Sequence, residues 1–147
     1  MVITQGTLND IAELCVLFND YRVFYGKPGD LHGARRFLHE RMRNHESIIF
    51  LARSNTGELT GFVQLYPIFS STRMRRLWLL NDLFVVPAHR GTGTSVALMD
   101  AAKYFSRETE SCGLVLETAK TNLVANRLYQ RLGFEMDNDH NYYAWND

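Results

Sequence analysis

Residues 80–95 of the chain read LNDLFVVPAHRGTGTS, and this stretch decides the fold. It begins as an apolar run typical of a buried strand, stops at Pro87 and continues through a loop with glycines at positions 91 and 93. A helix is predicted to begin near Thr94, because apolar residues then recur at helical spacing. Unpaired N–H groups at such a helix start attract an anion such as phosphate. The stretch therefore predicts a strand, an anion-binding loop and a helix, in that order.

Outward from this stretch, the hydrophobic pattern predicts a single-domain α/β fold with a mixed sheet. The predicted order is β-α-α-β-β-β-α-β-α-β-β, with a central β-α-β unit over residues 77–118. Thr7 and Asp30 are expected to begin the first two helices. The strands are expected at residues 2–5, 47–53, 59–66, 74–86, 114–118, 134–136 and 142–145, and a last helix at 123–132.

Length and charge exclude several classes of protein. A chain of 147 residues predicts one domain over residues 1–147, and its 46% hydrophobic content is that of a folded protein. Sixteen basic and sixteen acidic residues balance, which argues against nucleic-acid binding. No apolar run reaches the roughly 18 residues of a membrane span. Two cysteines predict a reducing cytoplasm, and the histidines form no metal-binding motif, so no metal is expected.

The glycine loop alone leaves its ligand open. The chain has no Gly-Lys-Ser or Gly-Lys-Thr, so a nucleoside triphosphate loop is disfavoured. A dinucleotide loop would have a third glycine where Val96 stands, which makes a dinucleotide a weak second choice. The remaining interpretation is the pyrophosphate of a smaller cofactor, held by backbone groups and the guanidinium of Arg90, against the alternative of an ordinary tight turn.

A second block, Asn122 to Phe134, carries a family resemblance together with the first. Residues 90–95 follow the pattern Arg-x-x-Gly-x-Gly/Ala except at Ser95, and residues 122–134 follow Asn-x-x-Ala-x-x-x-Tyr-x-x-x-Gly-Phe without a gap. With these blocks the chain resembles the GNAT superfamily of N-acetyltransferases. The predicted order of elements agrees with that fold along the whole chain, and the signature region covers about residues 77–136.

The resemblance implies acetyl-CoA as the acetyl donor. Its pyrophosphate is expected on the loop and the start of the following helix, its pantetheine arm along the preceding strand like an added strand, and Asn122 near the cofactor. The cofactor-binding residues implied in this way are Leu83, Phe84, Val85, Arg90, Gly91, Thr92, Gly93, Thr94, Ser95 and Asn122. Since Ser95 departs from the small residue of the pattern, we expect it to tune the affinity.

Three residues are candidates for catalysis. An alkylammonium with a pKa of about 10.4 is neutral in only about one molecule in 2500 at pH 7, so a site that acetylates amines needs a base or a desolvated pocket. Asp82 is the candidate base because it interrupts an apolar run, and a structural carboxylate is its alternative. Glu117 is a second candidate, acting through a water. The resemblance implies Tyr129 as the general acid for the thiolate, with core packing as the alternative.

The predicted order of elements gives expectations for the acetyl acceptor and for the oligomeric state. Tyr21, Arg22, Phe24, Tyr25 and Tyr66 are expected near the acceptor, or else in the core. We expect a primary amine of a small molecule, of the polyamine or amino acid type. The alternatives are acetylation of protein lysines or N-termini, a CoA-binding module without turnover, and a nucleotide-binding module. The aromatic closing strand at 142–145 predicts a homodimer, with a monomer as the alternative.

Overall fold

The computed structural model of the protein describes residues 1–147, which divide into two compact units, residues 1–116 and 117–147. The strands are β1 (Val2–Gln5), β2 (Ile48–Arg53), β3 (Leu59–Ser70), β4 (Arg75–Val85) and β5 (Leu114–Val115). The α-helices are α1 (Ile11–Phe24), α2 (Leu31–Arg43), α3 (Thr94–Glu108) and α4 (Leu123–Arg131). None of the helices combines the length and the apolar content needed to cross a bilayer.

The five strands form one mixed sheet in the order β1-β2-β3-β4-β5. The first four strands pair antiparallel, and β5 joins β4 as a parallel neighbour. Their parallel pairing confirms the predicted β-α-β unit, because α3 connects β4 to β5. β5 contains only two residues, which pair with Trp78 and Leu79, whereas the sequence predicted a strand over 114–118.

The first two helices begin where the sequence predicts. Thr7 and Asp10 form a capping box on a short 3-10 helix, Leu8–Asp10, that leads directly into α1: the Asp10 carboxylate accepts the Thr7 N–H at 2.8 Å, and the Thr7 hydroxyl accepts the Asn9 N–H. Asp30 caps α2 by accepting the N–H of Gly33 at 2.9 Å. These caps fix the starts of the two helices that precede β2.

Alternating side chains place the helices of the first unit on opposite faces of the sheet. Leu51 packs in the cluster formed with α1 and α2, whereas its neighbour Phe50 contacts Phe105 of α3 with ring centroids 5.6 Å apart. The cluster on the α1 side consists of Leu14, Cys15, Leu17, Phe18, Ala34, Leu38, Ile49, Leu51, Phe62 and Phe84. The sheet is therefore covered on both faces.

The second unit differs from the sequence prediction. The two closing strands predicted at 134–136 and 142–145 are absent, and none of residues 117–147 is buried. A strand requires a partner strand, and this segment instead bonds locally. The Asp137 carboxylate accepts the N–H groups of Asp139 and His140 and the hydroxyl of Tyr142. The expectation of a single domain stays a prediction.

Candidate active site

The glycine loop enters α3 through two left-handed residues. Gly91 and Gly93 have φ angles of 74° and 85°, in the region that favours glycine. A Cβ atom added to either residue would meet no atom within 4 Å, so the space above both is open. Gly93 is the N-cap residue of α3, and no side-chain hydrogen bond caps the helix there. The loop backbone at Gly91 and Gly93 therefore borders open space where the chain enters α3, a position that suits the pyrophosphate of acetyl-CoA.

Threonine hydroxyls stabilise the shape of this loop. The Thr92 hydroxyl donates to the His89 carbonyl oxygen at 2.6 Å, and it shares a hydrogen bond of 3.0 Å with the hydroxyl of Thr94. Thr94 is buried and Ser95 is half-buried, so both side chains pack at least partly against the rest of the protein. The backbone of the loop is the part that remains for a ligand.

Arg90 is tied to the end of β4 and to α1. Its Nε donates to the carbonyl oxygen of Val85 at 2.9 Å, and its guanidinium lies 4.9 Å from the ring centroid of Phe24 and 5.6 Å from that of Phe84. The sequence suggested a phosphate fork at this position. The structure places Arg90 beside the strand expected to bind pantetheine, with one of its N–H groups already in use.

One edge of β4 has no strand beside it. Beyond Leu79 the sheet order provides no further partner on the β5 side, so the backbone edge from Leu80 to Val85 has no strand partner there. Leu83, Phe84 and Val85 lie in this stretch, and Phe84 and Val85 bury their side chains. An extended, amide-containing arm has the shape and the hydrogen-bonding groups to pair with this edge.

A bulge beside this open edge orients Asp82. The β3–β4 register pairs Leu65 with Leu80 and Gln64 with Asp82, so Asn81 is an extra residue in β4. Asp82 is 4% exposed, and its carboxylate accepts the Gln64 Nε2–H at 2.7 Å and the Asn81 Nδ2–H at 3.1 Å. None of the ion pairs in the structure includes Asp82. A buried carboxylate held by neutral groups can act as a base or bind a cationic ligand.

Tyrosines from α1 and β3 surround this carboxylate. Burial, together with the negative charge of Asp82, raises the pKa of Tyr21 well above its ordinary value, and a hydrogen bond between the two side chains adds to the effect. Burial and Asp82 likewise raise the pKa of Tyr66. The rings of Tyr21 and Tyr25 meet edge to face at 5.0 Å. Of the tyrosines that the sequence proposed for the acceptor, Tyr21 and Tyr66 thus lie beside Asp82, and Tyr25 packs against Tyr21.

Arg22 and Phe24, the other residues proposed near the acceptor, contact residues close to them in the chain and around Arg90. Arg22 donates from Nη1 to the Pro28 carbonyl oxygen at 3.3 Å, just after α1. Phe24 is exposed, and its ring contacts Tyr25, Phe84 and Arg90. Arg22 therefore stabilises the loop after α1, while Phe24 belongs to the aromatic surface next to Tyr25.

Sequence reasoning missed Gln64, which is fully buried in the middle of β3. The apolar run around it predicted a strand, and the one polar residue in that run was not singled out. Its position directly across from Asp82 is set by the strand register, which a single sequence does not reveal. A polar residue in an otherwise apolar strand was the signal that was available.

The second unit contains the residues of the second sequence motif, residues 122–134. Asn122 caps α4, since its Oδ1 accepts the N–H of Ala125 at 3.2 Å. Asn126 donates from Nδ2 to the carbonyl oxygens of Ala119 and Asn122. Tyr129 is half-buried, and its ring meets that of Phe134 edge to face at 5.9 Å. Glu117 is exposed. The asparagines thus have a structural role in α4, and the catalytic role of Tyr129 stays a prediction.

Comparisons with known proteins identify the family of the chain. Residues 14–134 match the acetyltransferase (GNAT) family. The chain is 44% identical over 146 residues to "Uncharacterized N-acetyltransferase YhfO" of Bacillus subtilis (strain 168), covering 99% of this chain and 97% of that protein. The crystal structure of a probable acetyltransferase superposes with a TM-score of 0.96 at 37% identity, covering 100% of this chain and 98% of the other.

A more distant solved structure has the same fold and contains the expected donor. It is the predicted acetyltransferase with acetyl-CoA from Clostridium acetobutylicum, with a TM-score of 0.79 at 16% identity, covering 97% of this chain and 95% of that one. The family match spans most of the chain, and the relative from Bacillus subtilis spans nearly all of it. This chain therefore belongs to the GNAT family of acetyltransferases, the acetyl-CoA-dependent acyltransferases that its glycine loop and open β4 edge indicated.

Proposed function

We propose that the protein transfers the acetyl group of acetyl-CoA to a primary amine of a small molecule. The observation that supports this is Asp82, a buried carboxylate without a cationic partner, on the strand whose neighbouring edge is open. Burial without a counter-charge is costly unless a ligand supplies one. An ammonium group is such a ligand, and Asp82 is the group that would take its proton.

Residues of the first unit have separate roles in this proposal. The N-terminus of α3 and the glycine loop bind the pyrophosphate, and the β4 edge at Leu83, Phe84 and Val85 aligns the pantetheine arm. Acetyl-CoA supplies an activated acetyl group, so no residue of the chain needs to carry the acetyl group covalently.

The proton steps balance with two residues. Asp82 takes one proton from the ammonium, and the neutral nitrogen then forms the C–N bond while the C–S bond breaks and its electron pair stays on sulfur. A general acid, the role that the motif predicts for Tyr129, gives a proton to the sulfur and recovers one from the nitrogen of the new amide. The proton on Asp82 returns to water, so the net products are the acetamide, CoA thiol and one proton.

Release of CoA thiol is the direct test. The protein is incubated with acetyl-CoA and a panel of small amines, amino acids and lysine-containing peptides, and the acetylated products are identified by mass. We expect thiol release that depends on the amine, with a small amine as the acetylated product. Acetylation of peptides alone, or no acetylation although acetyl-CoA binds, would overturn the proposal.

A further inference from the structure

Gln64 leaves one polar atom unsatisfied beside the proposed base. Its Nε2 donates to Asp82 at 2.7 Å, whereas its Oε1 is buried and has no hydrogen-bond partner. Buried carbonyl oxygens in folded proteins almost always accept a hydrogen bond, so an unpaired one calls for an explanation. An N–H group that comes within hydrogen-bond distance of this oxygen when an acceptor binds would provide it.

The groups around Gln64 Oε1 define the charge of that ligand. Asp82 is an acceptor with a negative charge, and its donors Gln64, Asn81 and Tyr21 are neutral. The rings of Tyr21, Phe62 and Phe84 lie within 6.5 Å of one another by centroid distance, and Tyr21 hydrogen-bonds to Asp82, so aromatic rings that attract a cation lie beside this carboxylate. The site thus offers two acceptors and an uncompensated negative charge.

Arginines near this cluster are already engaged. Arg41, which acts electrostatically on Tyr66, pairs with Glu46 at 2.8 Å. Arg90 donates to the Val85 carbonyl oxygen, and Arg22 donates to that of Pro28. None of these arginines takes part in an ion pair with Asp82, and none hydrogen-bonds to Gln64 Oε1.

We propose that the acetyl acceptor is an alkylammonium with no carboxylate on the carbon that bears its nitrogen, and that Gln64 Oε1 accepts one of its N–H groups. Gln64 is then a specificity-determining residue, since the same amide also holds Asp82 for a second N–H. This inference rests on the proposed function. It selects the polyamine type over the α-amino acid type of acceptor.

Electrostatics gives the reason for this selection. In an α-amino acid the carboxylate lies one carbon from the amine, so it would enter the site next to Asp82 and the Gln64 carbonyl oxygen. Two negative charges a few ångströms apart repel strongly in a desolvated site. A methyl group at the same position also branches this carbon, and it carries no charge.

Matched sets of acceptors test the inference with the full chain and acetyl-CoA. One set is butylamine, 2-aminopentane and norvaline, in which hydrogen, methyl or carboxylate occupies the same carbon, and sets built on tyramine and on a diamine vary the rest of the molecule. We expect kcat/KM to be at least tenfold higher for the amine and for its methyl analogue than for the amino acid. Equal or higher values for the amino acids would overturn the inference and leave the proposed function standing. No acetylation of any set, with acetyl-CoA bound, would overturn both.

A variant tests Gln64 itself. Gln64→Leu keeps the size of the side chain and removes its polar groups, so kcat/KM for the best amine should fall at least tenfold, with a rise in KM, while the Kd for acetyl-CoA stays within twofold. Thr60→Val is the matched control, because Thr60 is equally buried on β3 and bonds to the Ala52 carbonyl oxygen away from the cluster. If both variants lose the same activity, or if Gln64→Leu loses none, Gln64 only packs and the inference is wrong.

Discussion

At the scale of single residues, the proposed chemistry depends on Asp82 and Tyr129, which different sequence signals indicated. Asp82 stood out in the sequence because a carboxylate interrupts an apolar run. Tyr129 stood out through its motif, and the structure adds only that it is half-buried on α4 beside Phe134. Substitutions at both positions can test these roles.

Tyr129→Phe keeps the aromatic ring and removes only the hydroxyl. Turnover should fall by about 10²- to 10⁴-fold, the range for loss of a general acid, while acetyl-CoA affinity changes little. Tyr104→Phe, at an exposed tyrosine of α3, is the control and should keep full activity. Steady-state and single-turnover rates of thiol release measure both variants. A rate within about twofold of wild type, with chemistry limiting, would show that Tyr129 only packs.

At the scale of elements, the start of α3 is the clearest test of cofactor binding. Gly93→Ala introduces a Cβ at a φ of 85°, which should lower the free energy of unfolding by roughly 1–2 kcal/mol. The same Cβ enters the open space above the loop, so acetyl-CoA should bind more weakly. Gly57→Ala is a matched control, because Gly57 has a φ of 88° and equally open surroundings in the β2–β3 turn.

Both glycine variants should therefore lose similar stability in urea unfolding, and only Gly93→Ala should lose acetyl-CoA affinity in calorimetry. Unchanged affinity in Gly93→Ala would contradict the placement of the pyrophosphate. A parallel loss in Gly57→Ala would show that strain alone weakens binding.

The contact between α1 and β4 predicts a dependence of stability on alkaline pH. The folded state raises the pKa of Tyr21 because of burial and the charge of Asp82. Above about pH 10 the unfolded chain loses this proton and the folded protein keeps it, so stability falls as the pH rises. Tyr21→Phe removes this titration. Its difference in unfolding free energy from wild type should be constant below about pH 10 and shrink above it, and a difference independent of pH would contradict the assignment.

At the scale of the whole molecule, the homodimer stays a prediction whose original reason has weakened. It was inferred from a closing strand at 142–145, and that segment is not a strand. Its aromatic residues are nevertheless exposed, with Tyr143 at 91% and Trp145 at 84%. Large exposed aromatic side chains favour burial against another surface.

Light scattering over a range of protein concentrations decides between a monomer and a homodimer. A dimer has twice the 17.0 kDa mass of the chain, and Trp145→Ser should shift it toward the monomer. A mass of one chain at high concentration, with and without acetyl-CoA, would rule the dimer out.

The sequence predicted most of the sheet because its signals are local. The cap at Thr7, the turn after Arg53 and the helix that begins at Thr94 are encoded within a few residues each. The closing strands failed because a strand depends on its partner as well as on its own composition. Gln64 was missed for a related reason, since only the cross-strand register places it opposite Asp82.

The most direct test of the central claim, that Asp82 generates the neutral amine, compares thiol release by wild type and Asp82→Asn for acceptors of different basicity. An amine with a pKa near 10 is almost fully protonated at pH 7 and needs the base, whereas a close analogue with a pKa below 7 is already neutral. We predict that Asp82→Asn lowers kcat/KM by about 10²- to 10⁴-fold for the basic amine and by less than about tenfold for the weakly basic one. An equal loss for both amines would contradict the account, since Asp82 would then only shape the site.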